Sequence, residues 1–160
     1  IDNFQNIYEK KWLNMMRDKL GLFGEDKNDK KLIYDLLNWM EINKIDYTNT
    51  FCHLMEIKIN DEEYRDTTFK DWFIQWKKRS EFQSYDKEQQ VNLMRQNNPV
   101  VIPRNSKVED SLSAAEKGNF EPMHKLLNIL KKPYMLQVDI AEYQKPSSIG
   151  KDKYQTFCGT

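Results

Sequence analysis

An all-α fold is predicted by three features of this chain. Apolar residues recur at helical spacing along nearly its whole length, no stretch sustains a period-two alternation, and helix-starting and helix-stopping residues punctuate the periodic segments. The expected architecture is an irregular multi-helix bundle with a C-terminal helical hairpin and an extended tail. The helical region is read as 1–134 and the tail as 135–160, closing on a cysteine motif.

In order along the chain, Phe4, Ile7, Tyr8, Trp12 and Met15 form a first apolar stripe, which stops at "KLGLFGED", where two glycines supply turn geometry. Leu32, Ile33, Leu36, Leu37 and Met40 form a second. "IDYTNTFCHLME" opens a third helix, with Asp46 or Thr48 placed to accept first-turn amide hydrogens. Thr68 and Asp71 resemble a capping box, followed by Phe69, Trp72, Phe73 and Trp76 at i, i+3, i+4 and i+7. A further helix runs through "DKEQQVNLMRQ", and Pro99 and Pro103 then break the pattern as an ordered connection or a loop. Ser106 and Glu109 read as a capping box for a helix carrying Val108, Leu112 and Ala115. Gly118 ends that helix, Asn119 caps the next, Met123, Leu126, Leu127 and Leu130 form its buried face, and Pro133 stops it. This hairpin superficially resembles one unit of an ankyrin or tetratricopeptide array, but its Ala-Ala-x-x-Gly-Asn signature does not return at a fixed period, so a solenoid is excluded.

The 160 residues are about the size of one ordinary domain. Lys and Arg number 25 and Asp and Glu number 25, so no net field draws the chain to nucleic acid or to an anionic membrane. No apolar run approaches the roughly 20 residues that span a bilayer. The start "IDNFQNIYEKKW" has neither a signal core nor an initiator Met, and the chain reads as a soluble piece of a longer protein. Cys52 and Cys158 lie far apart without metal-ligand spacing, which disfavours a zinc site or a disulfide-rich scaffold and suits a reducing compartment.

Chemistry-bearing candidates are few. Gly21, Gly24, Gly118, Gly150 and Gly159 cannot make a phosphate-cradling loop. His53 and His124 are single histidines with ordinary roles, and Cys52 and His53, adjacent on one helix, diverge too far to form a dyad. Lys77, Lys78 and Arg79 beside Trp72 and Trp76 read as the solvated edge of a packed face rather than a nucleic-acid surface. The carboxylates of "NDEEYRD" read as a charged turn. Cys158 stands apart, because a tail of Ser, Gly and Lys presents its thiol third from the chain end, whereas Cys52 shares a helix with Phe51, Leu54 and Met55 and is partly shielded.

"RQNNPVVIPRNSKVEDSLSAAEKGNFEPMHKLLNILKKPY", followed by a tail ending "FCGT", resembles the C-terminal segment of the selenoprotein O family, the kinase-like protein adenylyltransferases. "YEKKWLNMMRDKLGLF" and "DLLNWMEINKIDYTNTFCHL" resemble that family's upstream segments in the same order, so the resemblance covers essentially the whole chain. Pro103 stands where the family commonly has an apolar residue before Arg-Asn. Gly159 and Thr160 replace its usual terminal serines, and Gln155 stands where some members carry a second Cys.

The resemblance implies an enzyme that transfers AMP from ATP to Ser, Thr or Tyr hydroxyls of protein substrates, using Mg or Mn. Its kinase-like catalytic lobes, with the ATP and metal residues, would lie upstream of these helices, in a cytoplasmic protein of bacterial type or a mitochondrial one of eukaryotic type. It implies no nucleic-acid or membrane partner, and no catalytic, cofactor-binding or metal residue within this segment. Cys158 occupies the place of the selenocysteine of selenium-containing members and becomes a candidate redox or regulatory residue, its pairing partner a cysteine of the catalytic region rather than Cys52. The alternative reading is a free-standing helical module that binds a protein through exposed aromatic and Leu-rich faces.

Overall fold

The computed structural model describes residues 2–56, 62–81, 85–138 and 140–146. Among them are α1 (Asp2–Lys19), α2 (Asp29–Asn43), α3 (Tyr47–Glu56), a 3₁₀ turn (Glu62–Tyr64), α4 (Thr67–Glu81), α5 (Lys87–Asn97), α6 (Asn105–Glu116), α7 (Glu121–Leu130) and α8 (Ala141–Gln144), with no strand among the described residues. The all-α expectation holds. The chain divides into two compact units, one of Ile1–Val100 with Pro133–Leu136, the other of Val101–Lys132 with Gln137–Thr160.

In the first unit α1 packs on α2 and α5, α2 on α4, and α3 on α5. The aromatic face of α4 is core. Phe69, Trp72, Phe73 and Trp76 are buried with Trp39 of α2 and Tyr64 of the 3₁₀ turn. Their rings sit 4.6 to 6.0 Å apart, from Trp39–Phe69 to the nearly parallel Trp72–Trp76 pair, at spacings that favour offset and edge contacts. Each buried indole finds an acceptor, since Trp72 Nε1 donates to Leu32 O at 2.8 Å and Trp76 Nε1 to Leu20 O at 3.0 Å. An unpaired indole N–H there would cost about 1–3 kcal/mol.

Helix starts follow side-chain acceptors, though not always the expected ones. Asp46 caps α3 through the Asn49 amide at 2.8 Å, and Asp86 with Gln89 forms a full capping box on α5. At α4 the cap is Asp66, whose Oδ1 accepts from the Thr68 amide at 3.0 Å, instead of the expected Thr68–Asp71 pair. The helix begins at Thr67, so Thr68 already lies inside its first turn. α6 likewise begins at Asn105 with Arg104 at the capping position, which moves Ser106 inside the helix.

Helix ends repeat one device. Leu22 N donates to Arg17 O at 2.9 Å, Ile45 N to Met40 O at 2.9 Å and Asn119 N to Ala114 O at 2.9 Å, each closing a six-residue loop over a left-handed residue. Those residues are Gly21, Lys44 and Gly118, with φ of 66°, 56° and 83°.

The α1 stripe departs from expectation. Met16 and Leu20 carry this helix's buried contacts, while Phe4, Ile7, Tyr8 and Met15 are exposed. Trp12 is half-buried against Tyr34, with ring centres 5.3 Å apart. Periodicity located the helix but not the length of it that neighbours cover.

In the second unit α6 and α7 pack as the expected hairpin. Asn119 Oδ1 accepts from the Glu121 amide at 3.1 Å, but Phe120, not the expected Asn119, stands at the capping position of α7, which has no side-chain cap. Leu126 and Ile129 are the buried residues of α7, whereas Leu127 and Leu112 stay about half exposed, because a two-helix layer covers only one narrow stripe of each helix. Within the stretch read as an extended tail, residues 141–144 form α8. It is held by Lys107 Nζ on Glu142 Oε1 at 2.7 Å, Lys145 Nζ on Glu142 Oε2 at 3.1 Å and Arg104 Nη2 on Gln144 O at 3.0 Å. Hydrogen bonding from Lys107 first, then Lys145, draws the Glu142 carboxyl down to about 2.

A methyl group at Gly21 would stand 2.6 Å from Gln90 Cγ and 3.0 Å from Gln90 O of α5, whereas one at Gly24, also left-handed with φ of 69°, meets nothing within 4 Å. Gly24→Ala is expected to cost about 1 kcal/mol of backbone strain, and Gly21→Ala a further ~1–3 kcal/mol as α5 is pushed away. Urea unfolding midpoints of the two variants measure the difference, and equal midpoints would contradict the close α1–α5 contact.

Candidate functional site

The most strongly organised polar cluster lies at the start of α2. Asp29 opens that helix after an Asp-x-Asn turn in which Asn28 N donates to Asp26 Oδ1 at 2.7 Å. The Asp29 side chain is fully buried. Arg17 Nε of α1 donates to its Oδ2 at 2.7 Å, Arg79 Nε of α4 to its Oδ1 at 2.8 Å, and the Asp26 amide to Oδ2 at 2.9 Å. Arg79 Nη2 also reaches Phe23 O at 3.1 Å, and Arg17 Nη1 reaches Asn14 Oδ1 at 2.7 Å. Burial by itself raises the Asp29 pKa, but the bonds from Arg79, the Asp26 amide and Arg17 together outweigh it and hold the carboxyl below its ordinary value. Asp29 is thus a fixed carboxylate that accepts on all sides, with no proton to exchange in catalysis.

A second cluster joins the ends of α1 and α5. Asn98, buried after α5, donates from Nδ2 to Lys19 O at 2.8 Å and to Met94 O at 2.9 Å. Lys19 Nζ returns bonds to Asn97 O at 3.0 Å and Asn98 Oδ1 at 3.3 Å, and lies over the rings of Phe51 and Tyr47 at 5.3 and 5.6 Å. An ammonium at the Asn97 carbonyl meets the negative end of the α5 dipole. Burial lowers the Lys19 pKa, with the Cys52 thiol acting in the opposite sense.

The candidates from sequence are placed as follows. Cys52, half-buried, donates from Sγ to Pro99 O at 3.6 Å, while His53 Nδ1 lies 2.9 Å from the Tyr64 hydroxyl, so the two engage different partners and form no dyad. His124 is exposed on α7. Arg79, read as part of a solvated basic edge, is instead turned inward onto Asp29, while Lys77 covers the Phe73 ring at 4.9 Å. Cys158 lies outside the described residues, as does the rest of 147–160. Sequence reasoning passed over Asp29, Arg17 and Asn98. The Asp-x-Asn turn marks Asp29 as a helix start, but its arginines come from 12 and 50 residues away and carry no local signature.

The concave surface offers little chemistry. A groove of about 510 Å³ between α2 and α4 is lined by Asp35, Trp39, Ile42, Asp66, Asp71 and Trp72, among others. Asp66 there accepts from the Thr68 amide and from Trp39 Nε1 at 2.5 Å, bonds that hold its carboxyl below the usual range, and Asp35 pairs with Lys31 at 2.5 Å. Among the described residues no group of three or more His, Cys, Asp or Glu side chains is arranged to hold a metal. Their positive-φ glycines end helices or shape turns instead of cradling phosphates. No helix among the described residues is long and apolar enough to cross a membrane.

These features define an all-helical chain in which the strongest polar groups fix helices to one another and several large apolar side chains remain exposed among the described residues. Residues 1–131 match the family described as protein adenylyltransferase SelO, and the chain belongs to that family. It is similar to proteins named protein nucleotidyltransferase YdiU, with 49% identity to the Pelagibacter ubique relative over 161 residues. Identity is 44% to one from Clostridium perfringens over 161 residues and 42% to one from Nitrosococcus oceani over 162. In each case all of this chain is covered but only 33% of the relative, so the chain spans about a third of the length of the curated relatives it matches.

Replacing Asp29 leaves two inward-turned guanidinium groups without their carboxylate. Asp29→Asn is expected to lose roughly 3–5 kcal/mol at neutral pH, the range for breaking one partner of a buried ion pair. Because the folded-state pKa of Asp29 is depressed, its contribution is present above the unfolded pKa near 3.9 and fades as pH falls through the lower folded value. Urea titrations at a series of pH values should show the variant's deficit shrinking only below pH ~4. A deficit that is constant with pH would contradict the ionised bridge.

Proposed function

We propose that this chain is the helical C-terminal region of a SelO-type protein adenylyltransferase whose kinase-like catalytic lobes are encoded ahead of Ile1. AMP transfer is the attack of a Ser, Thr or Tyr hydroxyl of a protein on the α-phosphorus of ATP, with pyrophosphate leaving. The observation that carries the reading is the match itself, in which all of this chain aligns with only 33% of enzymes named nucleotidyltransferases. The polar geometry supports it. Asp29, Arg17, Arg79, Lys19 and Asn98 are committed to one another or to backbone carbonyls, and none is disposed to meet a triphosphate. The described residues do not fit Mg or Mn, since no acidic or histidine cluster with ligand geometry occurs among them, and ATP and metal are assigned to the missing lobes.

In this reading the region supplies a frame. The Arg17–Asp29–Arg79 bridge fixes α1, α2 and α4, and the Lys19–Asn98 cluster fixes α1 to α5. The full protein is assigned a cytoplasmic location, where Cys158 would remain a thiol unless oxidised. Cys158 is assigned a regulatory redox role: a two-electron oxidant such as a peroxide takes its thiol and a cysteine thiol of the catalytic lobes to a disulfide that tethers the tail across them, and a thiol reductant reverses it. A free-standing interaction module would suit the exposed apolar residues equally well, but it leaves the remaining two thirds of the relatives unexplained.

With ATP and Mg or Mn, the full-length protein is expected to label protein substrates with AMP, and the 160-residue chain alone to label none. Labelling by the isolated chain would relocate the active site. The redox assignment is tested by AMP transfer of full-length protein and its Cys158→Ser variant, each with and without reductant. Reductant is expected to raise the activity of the parent alone, and identical responses would remove Cys158 from regulation.

A further inference from the structure

We infer that the N-terminal half of α1 is a docking helix for the catalytic region of its own polypeptide. The inference rests on the reading above, which places that region ahead of Ile1, and it names the surface that receives it. Every described side chain from Asn3 to Tyr8 is exposed, so the first two turns of α1 bury no face against the other described residues. Their composition is nevertheless that of a buried stripe. Phe4 is 72% exposed, Ile7 51% and Tyr8 60%, at i, i+3 and i+4, and the line continues through half-buried Trp12 to Met15, 42% exposed. Phe4 and Tyr8 stack at 6.4 Å, and Tyr34, 49% exposed, extends the patch beside Trp12. The side away from the stripe carries Asn6 and Lys10. Helical turns that bury nothing draw little stability from propensity alone, because most helix stability in proteins comes from packing of an amphipathic face. This face is amphipathic and lacks its cover.

Two observations select the occupant. The family match begins at residue 1, so the stripe lies inside the family's shared sequence, and the chain is only 33% of its relatives' length, which leaves most of such a polypeptide to cover it. Size also counts against a second copy. Five side chains of α1 and Tyr34 of α2, some already partly covered, offer less than the roughly 800 Å² per partner of a standard stable interface. Tethering removes that requirement, because a linked segment is presented at an effective concentration on the order of millimolar.

The experiment uses the full-length protein with the photo-crosslinker p-benzoylphenylalanine at position 8 in place of Tyr8, and at position 10 in place of Lys10 as a control on the polar side. After irradiation and proteolysis, the position 8 probe is expected to be joined to peptides ahead of Ile1 within one chain, and the position 10 probe to give no such product. Adding Phe4→Asp and Ile7→Asp is expected to abolish the position 8 crosslink while costing at most the helical signal of the first two turns of α1, since both side chains are exposed among the described residues. A dimer-sized product from position 8 overturns the inference in favour of a second copy. Absence of any crosslink, or equal yields at positions 8 and 10, overturns it in favour of an open face. AMP transfer is measured on the same samples. A crosslinking protein without transfer activity would refute the proposed activity and leave the docking helix standing, whereas an active protein without the crosslink would do the reverse.

Discussion

The first unit depends on one buried carboxylate. Asp29 is removed from water entirely, and an isolated charge in that position would be prohibitively costly. It persists because α1 and α4 each deliver an arginine to it and the preceding turn delivers an amide. The arginines differ in what else they hold. Arg79 fastens the Phe23 carbonyl of the α1–α2 connection, while Arg17 keeps Asn14 and Glu25 in place. A single acidic side chain therefore couples three helices and the loop between two of them, and the aromatic layer of α2 and α4 packs with its orientation already set.

The fold class was legible because the period of the apolar residues is a property of short stretches. Phe69, Trp72, Phe73 and Trp76 announce both a helix and its buried side, and the structure places all four in the core. The α1 stripe has the same spacing and the opposite outcome, since burial depends on what lies opposite and none of the described residues covers Phe4, Ile7 and Tyr8. Caps were legible to within two residues. Asp66 took the role expected of Thr68, and the two sit close enough in sequence that either can start the helix.

The polar clusters were less legible, for a physical reason. The use of Asp29 is decided by Arg79, 50 positions away, and that of Asn98 by Lys19, 79 positions away. In a helical chain such distant pairs carry no periodic trace. Arg79 shows the difficulty well: its neighbours Lys77 and Lys78 suggest a basic edge, yet one helical step turns the guanidinium inward. Likewise Glu142 sits in a segment without a strong helical pattern, and it is the lysines beside it, one from α6, that give α8 its place.

The join between Lys19 and Asn98 has a consequence for the order in which this protein can be completed. Asn98 closes a loop that spans most of the first unit, and such long-range closure carries an entropic cost that local helix formation does not repay early. During synthesis α1 can coil as soon as it emerges, but the carbonyl at its end waits for a partner made 79 residues later. Until then the growing chain holds α1 without its α5 contacts. Asn98 and the residues around it thus mark the moment at which the N-terminal helices stop being a collection and become a single cooperative body.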